Sequence, residues 1–321
     1  KENKMIIPQI TEKQIFDFLT TPSQPHLEKY YAFYSSWFGG IVQNQKFMLL
    51  PIDDHMVHRG DGVFEAMKAI ARSVYLMNEH LERLFKSAEK IALKSPFTKE
   101  QVKEIVLETL KVANQEDVMI RIFLSRGPGN FSVNPYDSSQ AQLYVVITEL
   151  SSPSPEKYTN GINIGQSKII GKSSWMAQIK SCNYLPNVLM KKEAVDRTLD
   201  FVIGVDEQGN LTESATENLM IVDKNGVLVH PPLDYILRGT TMVRAFELAV
   251  ENGIATKIGV ISKEELRSAR EVIIAGTSLN ILPVVKFESY IIGDGTPGPI
   301  AKKLNQLMLV DIKQGSRGAS F

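Results

Sequence analysis

The chain has 321 residues, 43% of them hydrophobic and 22% charged, a length that predicts about two domains with sizeable cores. Its 36 lysine and arginine residues equal its 36 aspartate and glutamate residues, which argues against a nucleic-acid footprint and gives no reason to expect a membrane surface as partner. The single cysteine excludes an internal disulfide framework, no apolar run could span a bilayer and the first residues lack a signal-peptide core, so we expect a cytoplasmic protein.

The first half of the chain predicts a small α+β domain over residues 1–150 that includes an N-terminal arm. The arm, residues 1–30, is polar apart from a short helical pattern at 14–19. Apolar residues at helical spacing predict a helix over 78–91, with Asn78 as its N-cap. Thr98 and Gln101 form a capping-box pattern at the start of a second helix. Alternating or β-branched runs predict strands within 31–50 and 66–75, and at 118–124 and 142–148.

A larger domain of mixed α/β type is predicted over residues 159–321, after a linker at 151–158. The linker prediction depends on the Ser-Ser-Pro-Ser-Pro run that begins at Ser151. The tail after Asp311 is small and polar, and we expect it to be disordered. The other predicted elements are strands at 162–170, 201–205 and 271–275, a hairpin around 224–226, and helices at 186–197, 240–251, 262–268 and 300–309.

Lys180 lies on a short connection that leads into the helix beginning at Pro186. Proline is favoured at a first helical position, where its missing N–H would be unpaired anyway. A lysine on such a connection can be aimed into a cleft, where a neutral amine could form an imine. Most lysines are solvated, so Lys180 alone would be interpreted as a surface residue. Its functional interpretation depends on residues elsewhere in the chain.

Four other features fit one phosphorylated cofactor. Glu213 ends a hairpin strand, where a carboxylate could keep a pyridine nitrogen protonated, although in isolation a solvated turn carboxylate is the simpler interpretation. The Arg238-Gly-Thr-Thr241 run opens a helix whose free amides suit an anion, although alone it is an ordinary N-cap. The Ala-Gly-Thr-Ser turn at 275–278 has the same chemistry. Arg83 is a candidate arginine fork for a phosphate group.

The order of these pieces resembles the class IV, or fold type IV, pyridoxal-phosphate enzymes over nearly the whole chain, from about residue 31 to 309. That family includes branched-chain aminotransferases, D-amino acid aminotransferases and aminodeoxychorismate lyases. Three stretches look most like the plant D-amino acid transaminases, which overlap in kind with the lyases: 33–40 (FYSSWFGG), 53–64 (DDHMVHRGDGVF) and 179–188 (IKSCNYLPNV). The resemblance implies a two-domain α+β fold in which residues 159–321 are the cofactor-binding domain. It also implies a homodimer with its site between the domains and near the subunit interface.

The same resemblance implies a role for each candidate residue. Lys180 matches the lysine that forms the Schiff base with pyridoxal 5'-phosphate and shuttles the proton. Glu213 matches the partner of the pyridine nitrogen. The remaining cofactor contacts are expected from Tyr184 near the ring hydroxyl and, at the phosphate, from Arg83, Thr240, Thr241 and Thr277.

The residues at the positions expected to bind the substrate do not match any one subfamily. Phe64 stands where the bacterial D-amino acid enzymes carry a carboxylate-binding tyrosine, and their arginine-and-histidine trap has no clear counterpart. Arg59 and Arg121 are candidates for the substrate carboxylate, although a surface salt bridge is an equally good interpretation of Arg59. We expect transfer of an amino group between a small amino acid, with D-alanine favoured, and a 2-oxo acid. Aminodeoxychorismate lyase and branched-chain aminotransferase activities remain the alternatives.

Two interpretations outside this family carry less support. A two-domain small-molecule binding protein would need the same ordered motifs by chance. A metal site at His55 and His58 is disfavoured, because the segment is not predicted to be helical and no third ligand is apparent. Cys182 is expected to be a small core residue rather than a nucleophile.

Overall fold

Two β-sheets with helices packed against them organise the structure, a computed structural model that describes residues 7–21, 25–172, 174–315 and 317–321. The helices of the first half are α1 (Glu12–Thr20), α2 (His55–Arg59), α3 (Met77–Lys90) and α4 (Lys99–Ala113). Its strands are β1 (Tyr30–Ser35), β2 (Gly40–Val42), β3 (Gly62–Ile70), β4 (Ser73–Tyr75), β5 (Val118–Ser125) and β6 (Gln142–Glu149).

The second half contributes nine strands and six helices within the described residues. The helices are α5 (Pro155–Asn160), α6 (Ser174–Ala177), α7 (Leu185–Asp196), α8 (Thr240–Glu251), α9 (Lys263–Arg267) and α10 (Pro299–Gln314). The strands are β7 (Ile162–Gln166), β8 (Phe201–Ile203), β9 (Asn218–Val222), β10 (Leu228–His230), β11 (Thr256–Ile258), β12 (Glu271–Gly276), β13 (Asn280–Phe287), β14 (Tyr290–Ile291) and β15 (Gly318–Ser320).

The first sheet has seven strands in the order β15-β4-β3-β5-β6-β1-β2, with antiparallel neighbours throughout. Strand β3 pairs with β5 along nearly its whole length, from Gly62 opposite Ser125 to Ala69 opposite Val118. Strand β4 covers only the far end of β3, at Ala69 and Ile70. The first half of β3 therefore keeps one edge available for another segment.

The second sheet has eight strands in the order β11-β10-β9-β12-β13-β7-β8, with β14 added beside β13. It is mixed, because β7 pairs in parallel with β13 and with β8 whereas β9, β12 and β13 are antiparallel. Helices α8 and α10 bury one face of this sheet around Met242 and Leu304. A separate cluster around Leu219 and Ile274 fills the other face.

The first core lies between the first sheet and helices α3 and α4. Fully buried apolar residues on β3, such as Val63 and Met67, pack with Leu81 and Leu84 of α3. Because α3 packs against the first sheet, polar side chains of the same helix are positioned near the second sheet. Burial of apolar area at this scale is the main stabilising contribution to the fold.

Most predicted elements are confirmed, and the capping box of Thr98 and Gln101 forms as expected. The predicted N-cap at Asn78 is wrong: α3 begins at Met77 after Leu76, which is buried and has a φ of 54°. The segment containing His55 and His58, which we expected not to be helical, forms the one-turn helix α2.

The expectation of a disordered tail is also wrong. Helix α10 continues to Gln314, and after it β15 pairs with β4, so the tail that we expected to be disordered is regular on either side of residue 316, which lies outside the described residues. Helix α5 begins at Pro155, inside the predicted linker. Parts of the predicted arm, 1–6 and 22–24, lie outside the described residues, and the domain boundaries themselves remain a prediction. Among the helices that the structure describes, none combines the length and the apolar character needed to cross a membrane.

Candidate active site

The segment that carries Lys180 occupies the edge of β3 left uncovered by β4. The backbone N–H of Phe64 donates to the Lys180 carbonyl at 2.9 Å, and the N–H of Cys182 donates to the Gly62 carbonyl at 2.8 Å. The Lys180 N–H donates to the hydroxyl of Ser87 on α3 at 3.2 Å. Lys180 is therefore fixed by the first sheet, and its segment leads into α7, which begins at Leu185, one residue before the predicted start.

The Lys180 side chain is 8% exposed, and its Nζ lies 4.7 Å from the centre of the Phe64 ring. Burial lowers the pKa of Lys180 to about 8, with the charge of Arg83 acting in the same direction, while Glu65 and Glu213 oppose both effects. An ordinary lysine is almost wholly protonated at neutral pH. Lys180 is thus much closer to supplying a neutral, nucleophilic amine.

Glu213 lies across the cleft in a short antiparallel bridge with Asn218. Its Oε2 accepts hydrogen bonds from the Leu237 N–H at 3.0 Å and from Asn218 Nδ2 at 3.3 Å. Burial raises the pKa of Glu213 to about 7, and the Leu237 hydrogen bond and the charge of Lys180 work against that rise. The carboxyl can therefore hold or release a proton near neutral pH.

Arg83 is fixed by a carboxylate that the sequence analysis did not single out. Its Nε and Nη2 donate to the two oxygens of Glu65 at 2.7 and 2.8 Å, and its Nη1 donates to the Arg238 carbonyl at 2.9 Å. Glu65 is fully buried on β3. Burial alone would raise the pKa of Glu65, but the charge and hydrogen bonds of Arg83, with those of His80, bring it far below its usual range.

His80 connects this pair to the start of α8. Its Nδ1 lies 2.7 Å from Glu65 Oε2, and its Nε2 lies 3.1 Å from the Thr240 hydroxyl. Burial lowers the pKa of His80, which keeps the ring neutral. Because an ionised carboxylate can only accept, Nδ1 must carry the ring proton, and Nε2 must accept from the Thr240 hydroxyl. Spacing offered a signal for His80, since it precedes Arg83 by three residues on one helix face.

The N-terminus of α8 and the turn after β12 close the same end of the cleft. Thr240 and Thr241 are buried at the first two helical positions, after Gly239 as N-cap. A Cβ on Gly239 would approach Asn218 Oδ1 to 1.7 Å, so a larger residue there would displace the Asn218 side chain from its bonds to Glu213 and Leu237. Gly276 and Thr277 line the opposite wall. Free amide donors at such a helix start form an anion-binding site.

Tyr184 lies at the other end of the cleft, edge-on to the Phe64 ring with 5.1 Å between ring centres. Burial raises the pKa of Tyr184, and the charge of Glu213 raises it further, so its hydroxyl stays protonated. Lys172 lines the same region, with its Nζ 4.8 Å from the centre of the Tyr184 ring. The sequence analysis missed Lys172, because it follows no motif and only the fold brings it to the cleft.

The structure thus brings together in one cleft the seven predicted cofactor residues, Lys180, Arg83, Tyr184, Glu213, Thr240, Thr241 and Thr277. The predicted substrate residues are placed differently. Phe64 contacts both Lys180 and Tyr184. Arg59 donates to the backbone carbonyls of His58 and Phe131 and lines a separate cavity beyond the Lys180 segment. Arg121 donates to the Thr148 hydroxyl at 2.9 Å, and neither arginine lines the cleft of its own chain.

Comparison with known proteins shows which family the chain belongs to. The model of the amino-transferase class IV family matches residues 62–287, and the chain belongs to that family. The chain is 35% identical over 295 residues to the chloroplastic D-amino-acid transaminase of Arabidopsis thaliana, a match that covers 90% of this chain and 78% of that protein. Both the predicted family and the predicted type of enzyme are confirmed.

Solved structures confirm the predicted fold class. The branched-chain amino acid aminotransferase of Escherichia coli superposes with a TM-score of 0.80 at 26% identity, covering 88% of this chain and 94% of that one. A second branched-chain amino acid aminotransferase, from T.th. and solved with pyridoxamine 5'-phosphate, has a TM-score of 0.84 at 25% identity and covers 89% and 95% of the two chains. The 4-amino-4-deoxychorismate lyase of Pseudomonas aeruginosa shares the fold with a TM-score of 0.74 at 22% identity, covering 82% and 95%. Transaminases and a lyase are thus both present among the similar proteins.

Proposed function

We propose that the protein is a pyridoxal-phosphate-dependent aminotransferase that moves an amino group between a small amino acid, with D-alanine favoured, and a 2-oxo acid. The observation that carries the proposal is the convergence of Lys180, Glu213 and Arg83 on one cleft closed by the start of α8. When bound there, pyridoxal phosphate would supply an electron-withdrawing ring that stabilises negative charge on the substrate α-carbon.

The cleft offers polar groups that suit such a cofactor from its phosphate to its ring. Arg83, Thr241, Thr277 and the free amides of α8 would hold the phosphate, because they are the donors that a dianion requires. Near its pKa of about 7, Glu213 can keep a proton on a ring nitrogen. Asn187 also lines the cleft, and its Oδ1 is buried without a hydrogen-bond partner among the described residues, as expected for a site completed by a ligand.

Lys180 has two tasks in this proposal. Its amine, with a pKa of about 8, would hold the cofactor covalently. As a free neutral amine, Nζ would also take and return the proton of the substrate α-carbon. Tyr184 keeps its hydroxyl proton and can donate it to a neighbouring oxygen. The Phe64 ring, 4.7 Å from Nζ, would limit the space for water beside the amine.

The choice of D-alanine is supported by the similarity to the Arabidopsis D-amino-acid transaminase and by the three plant-like stretches of sequence. Arg59 and Arg121 remain proposed carboxylate ligands only if they act on a neighbouring subunit's cleft, since they lie outside their own. The lyase and the branched-chain enzyme remain alternatives, because the residues that hold the cofactor serve all three activities.

We also propose that the active form is a homodimer in a reducing compartment such as the cytoplasm. Large apolar side chains remain exposed beside the cleft residues, with Trp175 at 61%, Leu185 at 66% and Val188 at 58%. Exposed apolar groups of this size commonly mark a protein contact. Cys182 is a free thiol, which suits a reducing compartment. Sedimentation equilibrium of the purified protein tests the dimer, and a monomer at micromolar concentration would contradict it.

One experiment tests the cofactor and the substrate together. Purified protein reconstituted with pyridoxal phosphate is reduced with borohydride and digested, and we expect the cofactor on the peptide containing Lys180. The unreduced protein is then supplied in parallel with D-alanine, L-leucine or aminodeoxychorismate. We expect D-alanine with 2-oxoglutarate to be fastest. Labelling of another lysine would overturn the site, whereas faster L-leucine turnover, or pyruvate from aminodeoxychorismate without an amino acceptor, would reassign the substrate.

A further inference from the structure

Three cationic side chains line the cleft among the described residues, and one of them has no assigned task. Lys180 is reserved for the cofactor, and Arg83 is held by both oxygens of the Glu65 carboxylate. Lys172 has neither an ion-pair partner nor a side-chain hydrogen bond in the part of the chain that the structure describes. Glu213 is near enough to act on its charge but forms no ion pair with it, and a partly buried ammonium group without a bonded partner is unfavourable unless a ligand supplies one. Lys172 is therefore the cation in the cleft that is available to an anionic substrate.

The position of Lys172 separates it from the phosphate end. Its Nζ lies 4.8 Å from the Tyr184 ring centre, that ring lies 5.1 Å from the Phe64 ring, and the Phe64 ring lies 4.7 Å from Lys180 Nζ. Two aromatic rings thus connect the two ammonium groups. A small substrate reacting at Lys180 can extend along these rings, with its anionic group toward Lys172. The phosphate donors of α8 and Arg83 are not part of this path.

We propose that Lys172 binds the α-carboxylate of the amino acid and 2-oxo acid substrates. This inference rests on the proposed function, because it assigns the substrate end of the same cleft. Burial lowers the pKa of Lys172. A carboxylate beside it would oppose that shift and would form a charge-assisted hydrogen bond in a site with little water. No arginine other than Arg83 lines the cleft within the described chain, and Arg83 and Lys180 have other tasks, so Lys172 is the cationic side chain left for this one.

The test uses the cofactor-loaded enzyme and a matched pair of amines. D-alanine and isopropylamine differ only in that a methyl group replaces the carboxylate, and isobutyrate is a carboxylate that cannot react. In Lys172→Met we expect the KM for D-alanine and the Kd for isobutyrate to rise about 10- to 100-fold, the range for losing a hydrogen bond to a charged group. Turnover of isopropylamine and the cofactor content should not change. Lys172→Arg should recover part of the loss, and Lys168→Met, four residues away and exposed, should match the wild type.

Each other outcome overturns the proposal. An equal loss with isopropylamine would show that Lys172 acts through Glu213 and not through the carboxylate. Loss of cofactor in Lys172→Met would assign the lysine to cofactor binding. Unchanged KM and Kd would place the carboxylate elsewhere, and a loss confined to dicarboxylates would assign Lys172 to a side-chain carboxylate. A wild-type protein that takes up no cofactor, or is not labelled at Lys180, would instead overturn the proposed function, which this design reveals before any variant is compared.

Discussion

The two ends of the cleft differ in how completely the chain satisfies its own polar groups. At the phosphate end, Arg83, Glu65 and His80 hold one another, and His80 fixes Thr240, through hydrogen bonds of 2.7 to 3.1 Å. At the Tyr184 end, among the described residues, Lys172 has no ion-pair or hydrogen-bond partner and Asn187 Oδ1 has no hydrogen-bond partner. The first end is satisfied by the chain's own residues, whereas we propose that the second is completed by a bound substrate. Preorganised donors of this kind hold an anion without the cost of rearrangement.

The largest effect is expected from removing the group that joins the two ends of the cleft. In Lys180→Ala, the amine that we propose attaches the cofactor and moves the α-proton is lost, so we expect turnover to fall by about 10³-fold or more. Cofactor should still bind weakly through the intact phosphate end, seen as saturable quenching of protein fluorescence. Added methylamine should restore a small part of the activity. Turnover within about tenfold of the wild type would mean that another residue moves the proton.

Glu65→Gln tests whether the phosphate end is organised by its buried carboxylate. Arg83 would lose its counter-charge, and breaking a buried pair in this way costs about 3–5 kcal/mol of unfolding free energy. Glu82→Gln on the exposed side of α3 is the control, and its change should stay below about 1 kcal/mol. The measurement is urea unfolding of the cofactor-free protein at neutral pH. A change as small as that of the control would mean that the pair does not organise this end.

The ionisation of Glu65 also predicts the direction in which the free energy of unfolding changes with pH. Arg83 and His80 depress the pKa of Glu65 in the folded protein, so its stabilisation is fully present above the unfolded pKa of about 4.3. It is lost as the pH falls from there toward the lower folded pKa. The stability gap between wild type and Glu65→Gln should therefore narrow in acid, and a gap that widens would contradict the assigned direction.

Glu213→Gln should leave binding almost intact and slow the chemistry. The amide can still accept from the Leu237 N–H, so we expect the cofactor Kd to change by less than about threefold. Because a neutral amide cannot keep the ring nitrogen charged, removal of the α-proton should slow by about 10²-fold or more. An increased isotope effect with α-deuterated substrate reports that step. If Glu213→Gln and Arg83→Ala both lost affinity alone, the role given to Glu213 would be wrong.

The smallest expected effect separates two adjacent threonines at the phosphate end. The Thr240 hydroxyl is committed to His80, so Thr240→Val should cost about 1–3 kcal/mol of stability by leaving Nε2 unpaired, with little change in cofactor Kd. The Thr241 hydroxyl makes no bond to a described residue, so Thr241→Val should raise the Kd about tenfold and leave the unfolding midpoint unchanged. The opposite pattern would mean that Thr240 donates into the cleft.

The residues that sequence could identify are those that belong to local motifs. Lys180 before a proline-led helix and the threonines after Gly239 follow chemistry that neighbouring residues reveal. Glu65 and Lys172 were missed because each becomes informative only when a distant element meets it, α3 in one case and Tyr184 in the other. Arg59 and Arg121 were plausible cations by type, but sequence could not show that their side chains bond elsewhere than in the cleft. Local pattern thus finds the cofactor end more readily than the substrate end.

The errors in the fold have the same origin. Asn78 is a favourable N-cap by type, but the turn after β4 places Leu76 in a left-handed conformation and starts the helix at Met77. The small polar residues near 318–320 have no apolar pattern of their own, and they become a strand because β4 offers a free edge. Contacts between residues far apart in sequence override weak local preferences in both cases.

The return of β15 to the first sheet changes how the two halves of the chain are connected. The chain passes from the first sheet to the second after β6, and it passes back after α10 to pair Gly318 with Tyr75. A protease cut in the segment between β6 and α5 would leave two fragments of which the second still contributes a strand to the sheet of the first. Such fragments share a continuous hydrogen-bonded sheet, so the protein is suited to being split at this point and reassembled from two separately expressed pieces.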